Sequence, residues 1–597
     1  MRIEKRISEN LMEYAVAVIW CLKLSWKTSP LYTILRMVSS MGIPILSVII
    51  TYIGKDVINL LGKASNDKRD LNLLLFLFFA LFTVTILDKG LHALTQYCQI
   101  IHGELLDCEI SLMIMDRSLN CDLEYFDNPL FNDKLTLANQ DSYVITNILW
   151  NVIASFGAFV SFVCVFCVIC KENPAYCIIL FVSTIPSAFV SAKYTRFVYK
   201  LSVDQISAKR QMGYVQSIAS DRHYAQQIRL FEIDKWLKQR YCNIWQKLFE
   251  ERKEINRKRA LVIGISECLP EFVIVFISID IAFNILYGIA QIGDYVLYTG
   301  LIAQLWGAAY TLISSTMEVY GNRLKIDNIK ELNQFKNKIE DGNLKLNEID
   351  SIVFDKVCFT YPGASRPTLK DVSITFNKEE KVALVGANGS GKTTFVKLLL
   401  RMYEPDSGKI FINGINIKKY RISELRANFS VYFQEMLNYG FTVRENFEVS
   451  DFDIEAMDDA IERALEAASF GDLLQYSSKR FDASLMRFFD PEGIELSGGQ
   501  FQKLALARTF YRKRSVLILD EPSSNLDLKA EEKINNSIKI LSDKKLLIII
   551  SHHLSNISLA NKIVVFKDGE VVEEGGHTAL LNNNSYYADI SRSNRTS

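Results

Sequence analysis

The sequence predicts a multidomain chain, an all-α membrane domain with six spanning helices followed by an α/β P-loop nucleotide-binding domain. Three observations carry that prediction. Six apolar runs, each near the roughly twenty residues that cross a bilayer, fall in the first half of the chain. The second half alternates strand-like and helix-like runs, as layered α/β structures do. It also holds two glycine-rich motifs, Gly386-Ala-Asn-Gly-Ser-Gly-Lys392-Thr393 and Leu496-Ser497-Gly498-Gly499-Gln500.

Composition points the same way. Of 597 residues 49% are hydrophobic and 23% charged, with mean hydropathy +0.10, a mixture that suits a membrane half joined to a soluble half. The formal net charge is zero, so no nucleic acid partner is expected.

The apolar runs lie at Leu31 to Ile53, Leu71 to Leu87, Ile145 to Ile169, Ala175 to Ser191, Leu261 to Tyr287 and Tyr295 to Met317. Basic residues set their orientation. The stretch between the fourth and fifth runs carries Lys193, Arg196, Lys200, Lys209, Arg210, Arg222 and Arg229, and ends in Arg257-Lys258-Arg259, which places it in the cytoplasm. With six crossings both termini fall on the same side, giving a multi-pass membrane protein with its nucleotide domain in the cytoplasm. The first outer loop departs from the rule, with Lys55, Lys63, Lys68 and Arg69.

Met1 to Pro30 lacks a convincing cleavage site and is expected to lie as an amphipathic segment along the inner interface. Cys164, Cys167 and Cys170 recur every third residue in an apolar run, where cysteine acts as a small hydrophobe. Two connections, His92 to Tyr143 and Lys193 to Ala260, are too long for interhelical turns and are expected to extend the spans as cytoplasmic rods. Their tips, Tyr125-Phe126-Asp127-Asn128-Pro129-Leu130-Phe131 and Tyr224 to Phe231, carry aromatics that either dock on another domain or pack on their own rods. From Asn322 to Asp350 the composition turns to Lys, Asn, Asp and Glu. The expected division is therefore a membrane domain over 1–325, a linker over 326–350 and a nucleotide-binding domain over 351–597.

Val382 to Gly386 is an apolar strand running into the glycine loop, and Thr394 to Met402 has the pattern of the helix that follows. In that order the loop binds phosphate, because glycines let successive N–H groups converge at a helix N-terminus. Gly386, Asn388, Gly389, Ser390 and Gly391 would surround the phosphates of ATP, with Lys392, Thr393 and Thr394 at the helix start. Lys392 would reach the β- and γ-phosphates and the Thr393 hydroxyl would ligate Mg²⁺. A second apolar strand, Ser515 to Asp520-Glu521, delivers two carboxylates at its C-terminal end, where α/β sites form. Asp520 would hold Mg²⁺ and Glu521 would act as general base on the attacking water.

These residues resemble ATP-binding cassette proteins. Leu496 to Gln500 continues as Phe501-Gln-Lys-Leu-Ala-Leu-Ala-Arg508 and reaches Asp520-Glu521 and Ser524-Asn525-Leu526-Asp527 at the family's spacing. The resemblance implies further roles. Tyr361 would stack on adenine, Gln434 would contact Mg²⁺ or water, His552 would touch the γ-phosphate, and Asp527 would reach across a dimer interface. Each ATP would lie between the phosphate loop of one chain and Ser497, Gly498, Gly499 and Gln500 of another. One chain holds one copy of each motif, so the resemblance implies a homodimer, or pairing with a second half-transporter. His553 stands where an arginine is usual, Asn525 where alanine is common, and Pro491 where many exporters have glutamate.

The six spans ahead of the cassette look like a half-size exporter of this superfamily. Asp122-Leu-Glu-Tyr-Phe-Asp-Asn-Pro129 and Asp490 to Gln500 look most like transporters that export bacterial antimicrobial peptides, including lantibiotics and microcins. The implied function is ATP-driven export of a peptide, a bacteriocin or related modified peptide or other amphipathic substrate, across the bacterial plasma membrane by alternating access in a homodimer set in membrane lipid. A lipid or multidrug exporter is the alternative, and an ATP-gated sensor that moves nothing is the alternative of another class. No peptidase domain is expected ahead of the spans, so a leader peptide would be removed elsewhere. Glu267 and Glu271 flank Pro270 inside the fifth span, with Asp280 beyond. Ionisable groups at that depth contact a cationic substrate, line a wet cavity, or pair internally, with Arg36 as the available partner.

Overall fold

The structure, a computed structural model, describes residues 2–62, 68–172, 174–332, 334–335, 337–434, 439–452, 457–487, 490–524, 526–582 and 586–593. Lys63 and Asn525, and the side chains of Arg196 and Arg222, lie outside the described residues. The chain forms two units, Met1–Leu119 with Asp133–Gln334, and Asn120–Asn132 with Phe335–Ser597.

The first unit is helical. Its elements are α1 (Arg2–Thr28), α2 (Pro30–Gly62), α3 (Lys68–Asn120), α4 (Pro129–Glu172), α5 (Pro174–Asp204), α6 (Ile206–Ser220), α7 (Arg222–Leu230), α8 (Asp234–Leu286) and α9 (Ile292–Leu332), with the start of α4 and the end of α3 passing into the second unit. Among the described residues six helices are long and apolar enough to cross a membrane, and they coincide with the six apolar runs. Their apolar faces point outward. Phe76, Phe79 and Phe82 of α3 are exposed, a cost in water that lipid removes. Inside the unit, Val165 and Ile169 of α4, Cys177 and Leu180 of α5, Ile277 and Ile281 of α8, and Leu301 and Leu305 of α9 close a common core. The Cys177 thiol donates to the Phe166 carbonyl at 3.8 Å within it.

One charge of the basic outer loop has a local explanation. Lys55 near the outer end of α2 pairs with Asp294 of α9 at 2.9 Å, and Asn59 Oδ1 accepts the Gly293 N–H at 2.8 Å. The helices approach so closely here that a Cβ on Gly293 would lie 2.4 Å from the Lys55 carbonyl oxygen. Lys55 thus carries a compensated charge. The long helix α9 runs on to Leu332, with Ile326, Ile329 and Leu332 buried, so the apolar pattern continues beyond the last span.

The second unit is built on two sheets. The first is antiparallel, ordered β2-β1-β4-β5, from β1 (Ser351–Phe359), β2 (Leu369–Asn377), β4 (Ser407–Ile412) and β5 (Ile415–Asn416). The second is ordered β10-β9-β3-β8-β7-β6, from β3 (Lys381–Gly386), β6 (Phe429–Tyr432), β7 (Val516–Asp520), β8 (Leu546–Ile550), β9 (Lys562–Lys567) and β10 (Glu570–Gly575). All but β10 pair in parallel, and β7 and β8 are buried along their whole length, the pattern of a sheet covered on both faces. The covering helices are α10 (Lys392–Leu399), α11 (Ile422–Ala427), α12 (Val443–Glu448), α13 (Asp458–Ala467), α14 (Gly498–Tyr511), α15 (Leu528–Leu541), α16 (Leu554–Ile557), α17 (His577–Asn582) and α18 (Tyr586–Ser593).

Phe395 of α10 joins the two sheets. It is fully buried, with its ring 4.2 Å from that of Phe354, 5.7 Å from Phe376 and 5.9 Å from Phe566. Phe395→Ala is expected to cost about 3–5 kcal/mol of stability, the usual loss for a buried aromatic. Thermal unfolding of the purified protein measures it, as a lowered first transition.

Candidate nucleotide site

Three neighbouring strands deliver the site. Leu384 of β3 and Asp520 of β7 both pair with Ile550 of β8, where β7 and β8 end, and β3 runs on past them to Gly386. From them emerge the glycine loop, the pair Asp520-Glu521 and the segment Ser551-His552. Strand β6, beside β7, leads into Gln434.

The loop needs its glycines for space and for backbone shape. A Cβ on Gly386 would lie 2.2 Å from the Phe566 carbonyl oxygen. Gly391, the residue before α10, has φ of +104°, and a Cβ there would meet Leu369 at 2.5 Å. Helix α10 starts at Lys392 and ends at Leu399, earlier at both ends than the Thr394 to Met402 expected from the apolar pattern. The left-handed glycine ends the loop abruptly, so the helix begins without an apolar residue to announce it.

Lys392 folds back over the loop, its ammonium donating to the carbonyls of Gly386 at 2.8 Å and Ala387 at 2.9 Å. Burial pushes its pKa below the ordinary lysine value, and the nearby Asp520 and Glu521 charges oppose that shift. Thr393 donates its hydroxyl to Asp520 Oδ2 at 2.8 Å. Asp520 is 2% exposed, and its pKa is raised by burial against the Thr393 hydrogen bond. A hydroxyl and a buried carboxylate in direct contact form an oxygen donor pair suited to Mg²⁺.

Glu521 is the most constrained of the group. Its φ is +53°, a strained value for a residue with a side chain, and its N–H donates to the Ile550 carbonyl at 2.8 Å. Gln434 Nε2 donates to one carboxylate oxygen at 2.8 Å, and His552 Nδ1 lies 3.2 Å from the other. The His553 ring stacks on that of His552 with centroids 4.7 Å apart. Lys392, Thr393, Asp520, Glu521, Gln434 and His552 are therefore gathered in one site. Tyr361 joins its edge, with its hydroxyl 3.2 Å from Thr394 Oγ1.

Ser497 and Asp527 cap helices. Ser497 accepts from the Gln500 N–H and Gln500 returns a bond to the Ser497 N–H, a capping box that opens α14 with Gly498 and Gly499 in its first turn. Asp527 accepts from the Ala530 N–H at 2.8 Å and opens α15. Both ends present the positive end of a helix dipole.

Asn556 was not singled out by sequence reasoning. It is fully buried, and its amide donates to Ser523 at 2.8 Å and to Ser551 at 3.1 Å, lacing the loop after β7 to the loop after β8. Gln502 of α14 donates to the Pro522 carbonyl at 3.0 Å and ties the signature helix to the same loop. Gln502 stood inside a motif and was the more findable of the two.

In the membrane unit Glu267 is half-buried and Glu271 exposed, on either side of the buried Pro270. Arg36 is engaged elsewhere, which corrects the expectation that it could neutralise them. Its Nη1 donates to the Thr95 carbonyl at 3.0 Å and to Gln99 at 3.1 Å, and the guanidinium sits 4.2 Å above the Trp150 ring. Asp280 accepts a hydrogen bond from the Tyr176 hydroxyl.

Comparison with known proteins decides the family. A sequence model of the ABC transporter matches residues 369–524, and one of the ABC transporter transmembrane region matches residues 30–309. The subtilin transport ATP-binding protein of Bacillus subtilis is 30% identical over 558 residues, which cover 92% of this chain and 89% of that one. The chain is an ABC exporter.

The nisin transport ATP-binding protein of Lactococcus lactis is similar to this exporter at 26% identity over 95% of this chain and 94% of that one. The ATP-dependent lipid A-core flippase of Methylobacillus flagellatus is 31% identical over 53% and 54%. A solved bacterial Atm1-family ABC exporter with ATP bound shares the fold, with a TM-score of 0.78 at 19% identity over 94% of this chain and 98% of that one. The exporter is thus an ATP-hydrolysing translocase, multi-pass in the plasma membrane, with its nucleotide-binding domain in the cytoplasm.

Proposed function

We propose that this exporter moves a peptide, a bacteriocin or related modified peptide, out of the cell as a homodimer. The observation that carries the reading is coverage. The relatives named for subtilin and nisin align over 92% and 95% of this chain, membrane half included, whereas the lipid A-core flippases align over 40% to 60% of it. The flippase similarity still makes a lipid cargo the second reading.

Glu521 acts as general base, taking a proton from water as it attacks the γ-phosphate, with Gln434 and His552 holding its two oxygens. Lys392 neutralises the transferred group. Thr393, Asp520 and Gln434 would hold Mg²⁺, which supplies charge neutralisation between the phosphates when bound. Asn388, Ser390 and the loop glycines position the phosphates through N–H groups, and Tyr361 stacks on adenine. Ser497 to Gln500 and Asp527 act on the ATP held by the second copy, so closing two cassettes completes two sites. Closure and release drive alternating access of the membrane helices.

Glu267 and Glu271 contact a cationic region of the cargo. A panel of cationic peptides, lipids and drugs, tested for stimulation of ATPase activity in nanodiscs, checks this. The expected result is stimulation by a cationic peptide, with the half-stimulating concentration raised about tenfold in Glu267→Gln with Glu271→Gln, since each lost charge contact weakens binding by on the order of a kcal/mol. Stimulation by lipid alone, or an unchanged response in the double variant, would remove the peptide or the contact reading respectively.

A further inference from the structure

Helix α4 ends at Glu172 and α5 starts at Pro174, so the two spans form a tight hairpin. The basic stretch that follows α5 is cytoplasmic, and the junction at the other end of α5 therefore faces the outside. Cysteines surround that junction. Cys164, Cys167 and Cys170 lie on the last turns of α4, and Cys177 on the first turn of α5.

An apolar run accounts for these residues as small hydrophobes, but their surroundings differ. Cys167 is exposed, Cys170 half-buried and Cys177 fully buried. Cys177 Sγ lies 3.8 Å from the Phe166 carbonyl oxygen, and within α4 that carbonyl accepts the N–H of Cys170, four residues on. The Cys177 thiol thus rests against the turn of α4 that carries Cys170, and the two thiols come within hydrogen-bonding reach of each other. Cys170 packs against the same apolar core as Cys177, with Ile277 and Ile281 of α8 and Leu301 of α9. Both are free thiols. Among the described residues no three His, Cys, Asp or Glu side chains gather closely enough to hold a metal ion, which leaves the pair to redox chemistry.

We propose that Cys170 and Cys177 are a redox site on the outer face of the exporter, a dithiol that a disulfide oxidant outside the cell converts to a disulfide, and that the bond slows the transport cycle. Cys170 is the more accessible of the two and reacts first. Its thiol loses a proton, the thiolate attacks one sulfur of the oxidant, the oxidant's S–S bond breaks, and a mixed disulfide forms on Cys170 as one oxidant thiolate leaves. The Cys177 thiol then loses its proton, attacks Cys170 Sγ and expels the second oxidant thiolate. The two cysteines give up two electrons and two protons, and the oxidant takes up both. The new bond ties α5 to α4 inside the core that they share with α8 and α9, and alternating access requires packed helices of this kind to slide. Cys167, exposed one turn before Cys170, is the competing first thiol.

Oxidised glutathione, which does not cross membranes, is the probe. Right-side-out and inside-out vesicles carrying the protein are treated with it, blocked with N-ethylmaleimide and digested with trypsin without reductant. Trypsin cuts after Lys134, Lys171 and Lys193, so fragments 135–171 and 172–193 stay joined only through Cys177 and a cysteine of the first fragment. Mass spectrometry is expected to find the joined pair forming about tenfold faster in right-side-out vesicles than in inside-out ones, because access sets the rate. The joined pair should persist in Cys167→Ser and vanish in Cys170→Ser. In nanodiscs the oxidised protein is expected to hydrolyse ATP about fivefold more slowly, since conformational steps set the turnover of many such machines, and dithiothreitol to restore the rate. Cys170→Ser should hydrolyse at the reduced parent's rate and ignore both reagents, as should Cys177→Ala, which keeps a small apolar residue in the core. Absence of the joined pair after treatment from the outer face, its loss in Cys167→Ser, or its formation with unaltered ATPase activity would overturn the proposal.

Discussion

Glu521→Gln is expected to lower ATP hydrolysis by about three orders of magnitude and to leave ATP binding intact, because a general base typically contributes 10²–10⁴-fold. The substitution keeps shape and removes only the basic oxygen. Gln434 Nε2 and His552 Nδ1 now hold the two oxygens of this side chain at 2.8 Å and 3.2 Å, so the carboxylate is aimed before substrate arrives. Strain at φ +53° points the same way, since a residue held in a sparsely populated conformation at a strand end serves placement better than stability. The measurement is single-turnover hydrolysis beside equilibrium binding of a fluorescent ATP analogue. Loss of binding instead of turnover would make Glu521 a structural residue.

Asp520→Asn is expected to raise the Mg²⁺ concentration for half-maximal ATPase by about 10–100-fold, the usual cost of disturbing a metal's carboxylate support. The side chain is 2% exposed and accepts the Thr393 hydroxyl at 2.8 Å. Asparagine can still accept that bond, so the sheet edge should survive and the change should be one of charge. A Mg²⁺ titration of ATPase activity reads it. An unchanged half-saturation with lowered kcat would assign Asp520 to catalysis alone.

The strings that made these residues findable are local. Strand, glycine loop and helix follow one another within Lys381–Leu399, and the carboxylates end a strand whose every residue is apolar until Asp520. Signature and spans are likewise continuous stretches. What stayed hidden joins distant parts of the chain. Tyr403 donates its hydroxyl to Asp127 across 276 residues of chain, and nothing in either neighbourhood announces the other. Asn556 is a single amide in a four-residue helix, with no periodicity to mark it. Arg36 looked like a charge in search of a carboxylate, because the indole face of Trp150 and the Thr95 carbonyl that satisfy it leave no ionic signature. The α3–α4 turn could be read as a break with aromatics to bury, but where they are buried depends on Phe335, far along the chain.

The direct test of peptide export is ATP-dependent accumulation of a labelled cationic peptide inside inside-out membrane vesicles carrying this protein. The expected result is accumulation that requires Mg²⁺ and ATP and is lost in Glu521→Gln. ATP hydrolysis at the wild-type rate with no peptide accumulation, while a labelled lipid crosses in the same vesicles, would contradict it.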